Sequence, residues 1–285
     1  MLIPAHSLQR RFPCRQAPLY CDTLVHDDRA AAMHHVDNQG NPTMAATRKQ
    51  PYSRRRAATK IAPPPKRNWP AIPHDQGLRI SSMVTGWFYE TQRRMATQIK
   101  PHDVIRLMNK ARVKFVLMGA HGIAGWMEQP RSTQDVDILV QPSHHRKAVG
   151  VIRKAYTDLT EEDLPGTTRF TDPTIGKVVI DLMKPVEALN KQALKTAVPV
   201  GKTHRVPSLE MALACKYAAM RGANRDALKR GQDAVDFGFV AKHNLDRIDM
   251  DILFSLGEMV RSGGGPEIQK LVDQVKAGRL PQIPP

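Results

Sequence analysis

Two acidic residues interrupt the most strand-like segment of this chain. Asp135 and Asp137 stand two positions apart in residues 134–140, where their neighbours are mostly valine, isoleucine and leucine. Aspartate is disfavoured inside a strand because it buries a charge and competes for backbone hydrogen bonds. Side chains at positions i and i+2 of a strand project from one face, with about 7 Å between their α-carbons. The segment therefore predicts a strand that directs two carboxylates into one space.

A third carboxylate, Asp181, is the same exception within the apolar strand predicted at 177–183. Mg²⁺ relieves the repulsion between such groups, because it prefers oxygen ligands and is commonly held by one or two carboxylates together with substrate phosphates. An acid on a neighbouring strand would permit two ions about 3.5 to 4 Å apart, which suits phosphoryl displacement. We predict a Mg²⁺ site with two ions at Asp135, Asp137 and Asp181. In the alternative, Asp135 and Asp137 lie on the solvent face of an edge strand.

From about residue 100 onward, the hydrophobic pattern predicts an α+β fold. Short β-rich runs indicate strands, and apolar positions spaced three and four residues apart indicate helices. Predicted strands lie at 114–118, 134–140 and 177–183, and predicted helices begin at Pro101, His121, Ser143, Ser208, Arg225, Asp249 and Gly265. Residues 96–200 are therefore expected to form an α/β-type core with a small mixed sheet, and residues 201–285 a helical C-terminal domain.

Residues 1–95 lack sustained periodicity and predict a disordered basic tail. The segment contains three consecutive prolines at 63–65, and residues 1–94 carry 15 Lys/Arg against 6 Asp/Glu. A chain with this composition buries too little apolar surface to offset the entropy of ordering. Because every chemically distinctive residue follows Met95, a translation start at Met83 or Met95 is an alternative explanation of this region.

The formal net charge of +16 is distributed over both parts of the chain. It predicts a polyanionic partner, a nucleoside triphosphate or RNA, although a solvated basic surface explains the charge equally well. No apolar run approaches the roughly 20 residues of a membrane helix, so no membrane partner is expected. Three cysteines are too few for a disulfide framework, and Pro4 and Pro13 interrupt any secretory signal. The expected location is the cytoplasm.

A glycine-containing turn, Gly119 to Gly122, separates the predicted strand 114–118 from the following helix. Such a turn lets backbone N–H groups and a helix N-terminus approach a phosphate closely. The glycines can equally form an ordinary turn that ends the strand and begins the helix.

Together, residues 117–140, LMGAHGIAGWMEQPRSTQDVDILV, resemble the signature of nucleotidyltransferases of the DNA polymerase β superfamily. That signature is a strand, Gly-Gly or Gly-Ser, a helix, and then an Asp-x-Asp strand. The string from Arg131 to Asp137 is most similar to the Arg-x-Thr-x-Asp-x-Asp string of the AbiEii-type toxin group. The resemblance extends from residue 104 to about residue 240. The chain departs from the pattern at Ala120, which removes a hydroxyl contact to phosphate but keeps the backbone donors.

The resemblance implies a Mg²⁺-dependent reaction in which a hydroxyl of an RNA end or a protein attacks the α-phosphorus of a nucleoside triphosphate such as ATP. It also implies a toxin of a toxin–antitoxin or abortive-infection system, with an antitoxin protein as partner. A lysine on a later helix, Lys216, would neutralise the triphosphate, and Asp233 or Asp236 would orient that lysine. The implied catalytic residues are Asp135, Asp137, Asp181 and Lys216, and the implied nucleotide-binding residues are Gly119, Ala120, His121, Arg131, Thr133, Lys216 and Asp233.

Two other functions remain open on the sequence. One is a small-molecule nucleotidyltransferase of the aminoglycoside-modifying kind. The other is a non-catalytic binding protein that keeps the fold.

Overall fold

The computed structural model describes residues 74–92 and 99–283. Its helices are α1 (His74–Gln92), α2 (Pro101–Lys110), α3 (Gly119–Ile123), α4 (Pro142–Ala155), α5 (Ala188–Thr196), α6 (Leu209–Arg221), α7 (Ala227–His243), α8 (Met250–Val260) and α9 (Gly264–Lys276). Its strands are β1 (Phe115–Leu117), β2 (Val136–Val140), β3 (Thr160–Asp163), β4 (Thr167–Asp172), β5 (Lys177–Met183), β6 (Val198–Val200) and β7 (His204–Val206).

A five-stranded sheet in the order β1-β2-β5-β4-β3 organises the first half of the fold. Strands β2 and β5 run parallel, whereas the pairs β1–β2, β4–β5 and β3–β4 are antiparallel. The predicted α+β class with a small mixed sheet is therefore confirmed. Because β2 lies between β1 and β5, the alternative that Asp135 and Asp137 belong to an edge strand is wrong.

The C-terminal helices follow from clear local signals. Ser208 caps α6 by accepting a hydrogen bond from the backbone N–H of Met211, and Asp226 caps α7 in the same way through Lys229. Such side-chain acceptors satisfy N–H groups that the first helical turn leaves unpaired. Helices α6 to α9 form the predicted helical C-terminal part. They pack on one another, and their apolar side chains belong to the same buried cluster as the strands.

Helix α1 lies within residues 1–95, which the sequence assigned to a disordered tail, so that boundary was wrong. The buried positions of α1 include His74, Leu78, Ser81 and Thr85, which are 0 to 4% exposed and spaced on one helical face. Three of the four are polar, and therefore the face carries little hydrophobic periodicity. Residues 1–73 and 93–95, the rest of the predicted tail, lie outside the described residues.

Close backbone contacts hold α1 against the short turn Ala124–Trp126. A Cβ added at Gly125 would lie 2.2 Å from His74 Nδ1, and that nitrogen accepts a hydrogen bond of 3.0 Å from the Gly125 N–H. A residue larger than glycine would separate the two segments.

Several elements differ from their predicted positions. Asp135 immediately precedes β2 instead of lying inside it, and the predicted helix at 121–128 begins earlier, at Gly119, and ends in a 3₁₀ turn. Strands β3 and β4 occupy a region predicted as a loop. All four residues of β3 are exposed, so the strand lacks the alternation that would reveal it.

No helix within residues 74–92 and 99–283 combines the length and the apolar character that crossing a membrane requires.

Candidate active site

The three predicted acids line one cavity of about 680 Å³. Asp137 on β2 pairs in register with Asp181 on β5. Neighbouring strands lie about 4.8 Å apart, and side chains in register project from the same face of the sheet. Asp135 stands two positions before Asp137 and lines the same cavity.

Gly119 leaves room for the carboxylate of Asp137. A Cβ built on Gly119 would lie 1.8 Å from Asp137 Oδ2, and the φ angle of Gly119 is +58°, which L side chains rarely adopt. Both facts require glycine at this position. The glycine turn therefore seats an acid of the cavity, a role that the sequence did not indicate.

The electrostatics of the acids favour a bound cation. Burial raises the pKa of Asp137 well above its usual value, and the neighbouring charges of Asp135 and Asp181 raise it further. Burial also raises the pKa of Asp181, although Arg169 and Thr167 oppose the shift. A cation among the oxygens would offset the repulsion.

The donor set consists of carboxylate oxygens, which is the chemistry that Mg²⁺ prefers. Among the described residues, however, no three His, Cys, Asp or Glu side chains are arranged as a ready-made metal site. The acids would have to draw closer together around an ion.

A network of cations and aspartates forms the opposite side of the site. Lys216 on α6 is 8% exposed, and its Nζ donates to Asp233 Oδ1 at 3.0 Å and to Asp236 Oδ2 at 2.6 Å. Arg131 binds both carboxylate oxygens of Asp236, at 2.8 and 3.0 Å, and Arg225 Nε lies 2.5 Å from Asp233 Oδ2. Although burial opposes the shift, the hydrogen bonds from Arg131 and the charge of Lys216 lower the pKa of Asp236.

This network defines the partners of Arg131 and Lys216. The carboxylate partner of Arg131, an expected nucleotide-binding residue, is Asp236. The sequence predicted that Asp233 or Asp236 would orient Lys216. Both contact Lys216, because α7 presents them one turn apart toward α6.

All but one of the predicted site residues line the cavity; the exception is His121. His121 is 2% exposed, its Nδ1 lies 3.2 Å from Ser81 Oγ, and burial lowers its pKa to about 4. The prediction that His121 contacts phosphate was wrong, because its side chain packs against α1. Thr133 instead supports an acid directly, since its hydroxyl donates to Asp135.

The structure adds residues that the sequence did not single out. Arg169 on β4 stands opposite Asp181 in register, and its Nε lies 3.3 Å from Asp181 Oδ1. Thr167 Oγ1 donates to the same oxygen at 3.2 Å. These residues belong to a strand that the hydrophobic pattern missed, so their proximity to Asp181 was not predictable.

No protein-family model and no curated protein matches this chain. Two solved structures resemble it in part. The antibiotic-resistance factor ANT(2'')-Ia is 10% identical, with a TM-score of 0.37, over 62% of this chain and 93% of that chain. Terminal uridylyl transferase 4 from Trypanosoma brucei with bound GTP is 12% identical, with a TM-score of 0.26, over 59% of this chain and 58% of that chain. Both similarities are weak.

Proposed function

We propose that this chain is a Mg²⁺-dependent nucleotidyltransferase that moves a nucleoside monophosphate from a triphosphate to an acceptor hydroxyl. The observation that carries the proposal is the in-register pair Asp137 and Asp181 on parallel central strands, with Asp135 lining the same cavity. Acids buried together in this way cost free energy unless a cation accompanies them.

The acids have separate roles in the proposed reaction. Asp135 and Asp137 would hold one ion, and Asp181 would contribute to a second. When bound, Mg²⁺ neutralises triphosphate charge and lowers the pKa of the acceptor hydroxyl. The hydroxyl oxygen bonds to the α-phosphorus, its proton passes to Asp181, and the bond to the pyrophosphate oxygen breaks.

The cationic side of the cavity suits a triphosphate. Lys216, Arg131 and Arg225 bring three positive charges against the two negative charges of Asp233 and Asp236. One net positive charge therefore remains to bind the triphosphate. Arg225, whose side chain is 41% exposed, is the most accessible of the three cations and can exchange Asp233 for a phosphate oxygen. Gly119 and Ala120 line the cavity beside Asp137, where their backbone can approach the phosphates.

Incubation of the purified protein with Mg²⁺, α-labelled nucleotides and cellular RNA or protein tests the proposal. We expect label in one acceptor, and we expect Asp137→Ala to lower transfer by roughly a thousandfold because it removes a carboxylate that would hold the ion at the reacting centre. Asp246→Ala, which removes an exposed acid that does not line this cavity, should retain wild-type activity.

The acceptor and the biological role can be proposed more specifically. We propose an RNA end or a protein hydroxyl as acceptor and a toxin that an antitoxin protein neutralises, because the string from Arg131 to Asp137 resembles the AbiEii-type group. Induced expression should then arrest bacterial growth, and Asp137→Ala should abolish the arrest. Label in a low-mass acceptor alone would favour the small-molecule enzyme. A failure of Mg²⁺ and nucleotide to raise the melting temperature would favour the non-catalytic binding protein, because a ligand of the native state stabilises it.

A further inference from the structure

A second cavity, of about 860 Å³, lies between β1, α5 and the β6–β7 hairpin. We call it the basic groove, because its lining includes Lys114, Lys191, Lys195, Lys202 and Arg205. Strand β1 is an edge of the large sheet, so the groove follows that edge. Pro142, Pro185 and Pro199 contribute apolar wall.

Among the described residues that line the basic groove, every charged one is positive, since none is Asp or Glu. Its lysines are exposed, and within the described residues none of them forms an ion pair. Arg205 donates to the backbone carbonyls of Leu194 and Ala197 instead of to a carboxylate. A concave surface with one sign of charge focuses the field and attracts a polyanion.

Helix α5 separates the basic groove from the cavity that holds the acids. Leu189 and Asn190 line the acidic cavity, whereas Lys191, Leu194 and Lys195 line the basic groove. Lys191 and Lys195 are four residues apart and therefore share one face of the helix. The segment before α5 connects the two sites in the same way, because Met183 lines the cavity and Pro185 lines the groove.

We propose that the basic groove binds the sugar–phosphate backbone of an RNA acceptor, whose terminal hydroxyl then reaches the acids across α5. The proposal rests on the proposed function and narrows its acceptor from RNA or protein to RNA.

The chemistry of the groove favours RNA over an acidic protein segment. Four of its five cations are lysines, which bind phosphate as point charges. The cations are distributed over the residue before β1, helix α5 and the β6–β7 hairpin, an arrangement that suits repeated phosphates. The proline walls can contact sugars. Phe115 is only 7% exposed, so the groove offers no large stacking platform for bases, and recognition of the backbone is expected.

Titration of the full chain with a labelled single-stranded RNA of mixed sequence, at several salt concentrations, tests the proposal. The groove variant is Lys191→Gln/Lys195→Gln/Lys202→Gln. The control is Lys154→Gln/Lys242→Gln/Lys270→Gln, which removes the same charge from exposed lysines outside the groove. Each lost phosphate contact lowers the slope of log K against log salt by about 0.7. We expect the groove variant to lose about two units of slope and at least tenfold in affinity, and the control to remain close to wild type.

Equal RNA binding by the groove and control variants would overturn the proposal. Competition by poly-L-glutamate would also overturn it. If this polymer displaced the labelled RNA as well as unlabelled RNA of the same charge does, the partner would be an acidic protein. Failure of the proposed function would give a different result, because the wild-type protein would then bind RNA through the groove and transfer no label. If both proposals hold, Asp137→Ala should lose transfer and keep the wild-type salt dependence of RNA binding. In transfer assays the groove variant should raise the KM for RNA and leave the KM for nucleotide unchanged.

Discussion

At the scale of single residues, the site depends on what surrounds each charge. Lys216 is almost completely buried, yet both of its carboxylate partners are also buried, so the charges compensate one another. Removing one member of such a group leaves an unpaired buried charge, which usually costs more than the pair contributes. Asp236 is central, because it binds both Arg131 and Lys216 and thereby connects the loop before β2 to α6.

Substitution of Gly119 provides a sharp test at this scale. Gly119→Ala adds a Cβ at the position of Asp137 Oδ2 and requires an unfavourable φ angle. We expect a loss of about 1 to 2 kcal/mol from the backbone strain alone, and a fall in transfer of about a hundredfold because a displaced reacting group misaligns the substrate.

Gly176→Ala is the matched control for that substitution. Gly176 has a φ of +61°, but a Cβ there would meet no atom of the described residues within 4 Å. The Gly176→Ala variant should lower the free energy of unfolding in urea, because of the backbone strain, and keep the wild-type transfer rate. Equal transfer rates in the two variants would contradict the role given to Gly119.

At the scale of secondary-structure elements, α1 supports the loop that carries Arg131. Ser81 Oγ donates to the Arg131 carbonyl at 2.8 Å, so its only proton is used and the Nδ1–H of His121 must donate to it. Thr85 Oγ1 accepts from the Thr133 N–H at 3.2 Å. One helix therefore holds the loop that leads into Asp135.

Ser81→Ala should destabilise the protein by about 1 to 3 kcal/mol, because it leaves a buried carbonyl and a buried ring nitrogen without their partner. Ser82→Ala is the control. The buried Ser82 Oγ has no hydrogen-bond partner among the described residues, so its loss should change the unfolding free energy by about 0.5 kcal/mol or less. Urea unfolding measures both, and equal effects would mean that α1 does not hold the loop.

The same helix bears on where translation begins. A start at Met83 would remove Leu78 and Ser81, which are buried, and a start at Met95 would remove all of α1. We expect either shortened protein to be less stable than the full chain. Intact-mass measurement of the native protein decides between the starts.

At the scale of the whole molecule, three buried histidines on α1, α3 and β7 connect stability to pH. Burial lowers the pKa values of His74, His121 and His204 to about 4, and the His74 and His204 rings lie 6.0 Å apart. In the unfolded chain these groups titrate near their usual value of about 6.5. Between these pH values the unfolded state binds more protons, and stability therefore falls as pH decreases from about 6.5 to 4.

The raised pKa of Asp137 acts in the opposite direction over part of this range, so a variant is needed to isolate the histidines. His74→Asn keeps a hydrogen-bond acceptor for the Gly125 N–H and cannot be protonated. We expect it to reduce the loss of unfolding free energy between pH 7 and 5, measured in urea, by about 1 to 2 kcal/mol. An unchanged loss would contradict the contribution of His74.

The local sequence determined the class of the fold, the helices that begin at Ser208 and near Arg225, and the strand of Asp181, because apolar periodicity and caps depend on near neighbours. It also singled out Asp135, Asp137, Asp181 and Lys216 as candidate site residues. Only the tertiary structure decided three contacts. Asp137 and Asp181 stand in register, the side chain of His121 packs against Ser81 of α1, and Arg131 binds Asp236. Those contacts join residues from 40 to 105 positions apart in the chain. The polar buried face of α1 and the exposed strand β3 were missed for the same reason, since their stability comes from distant partners and not from their own hydrophobic pattern.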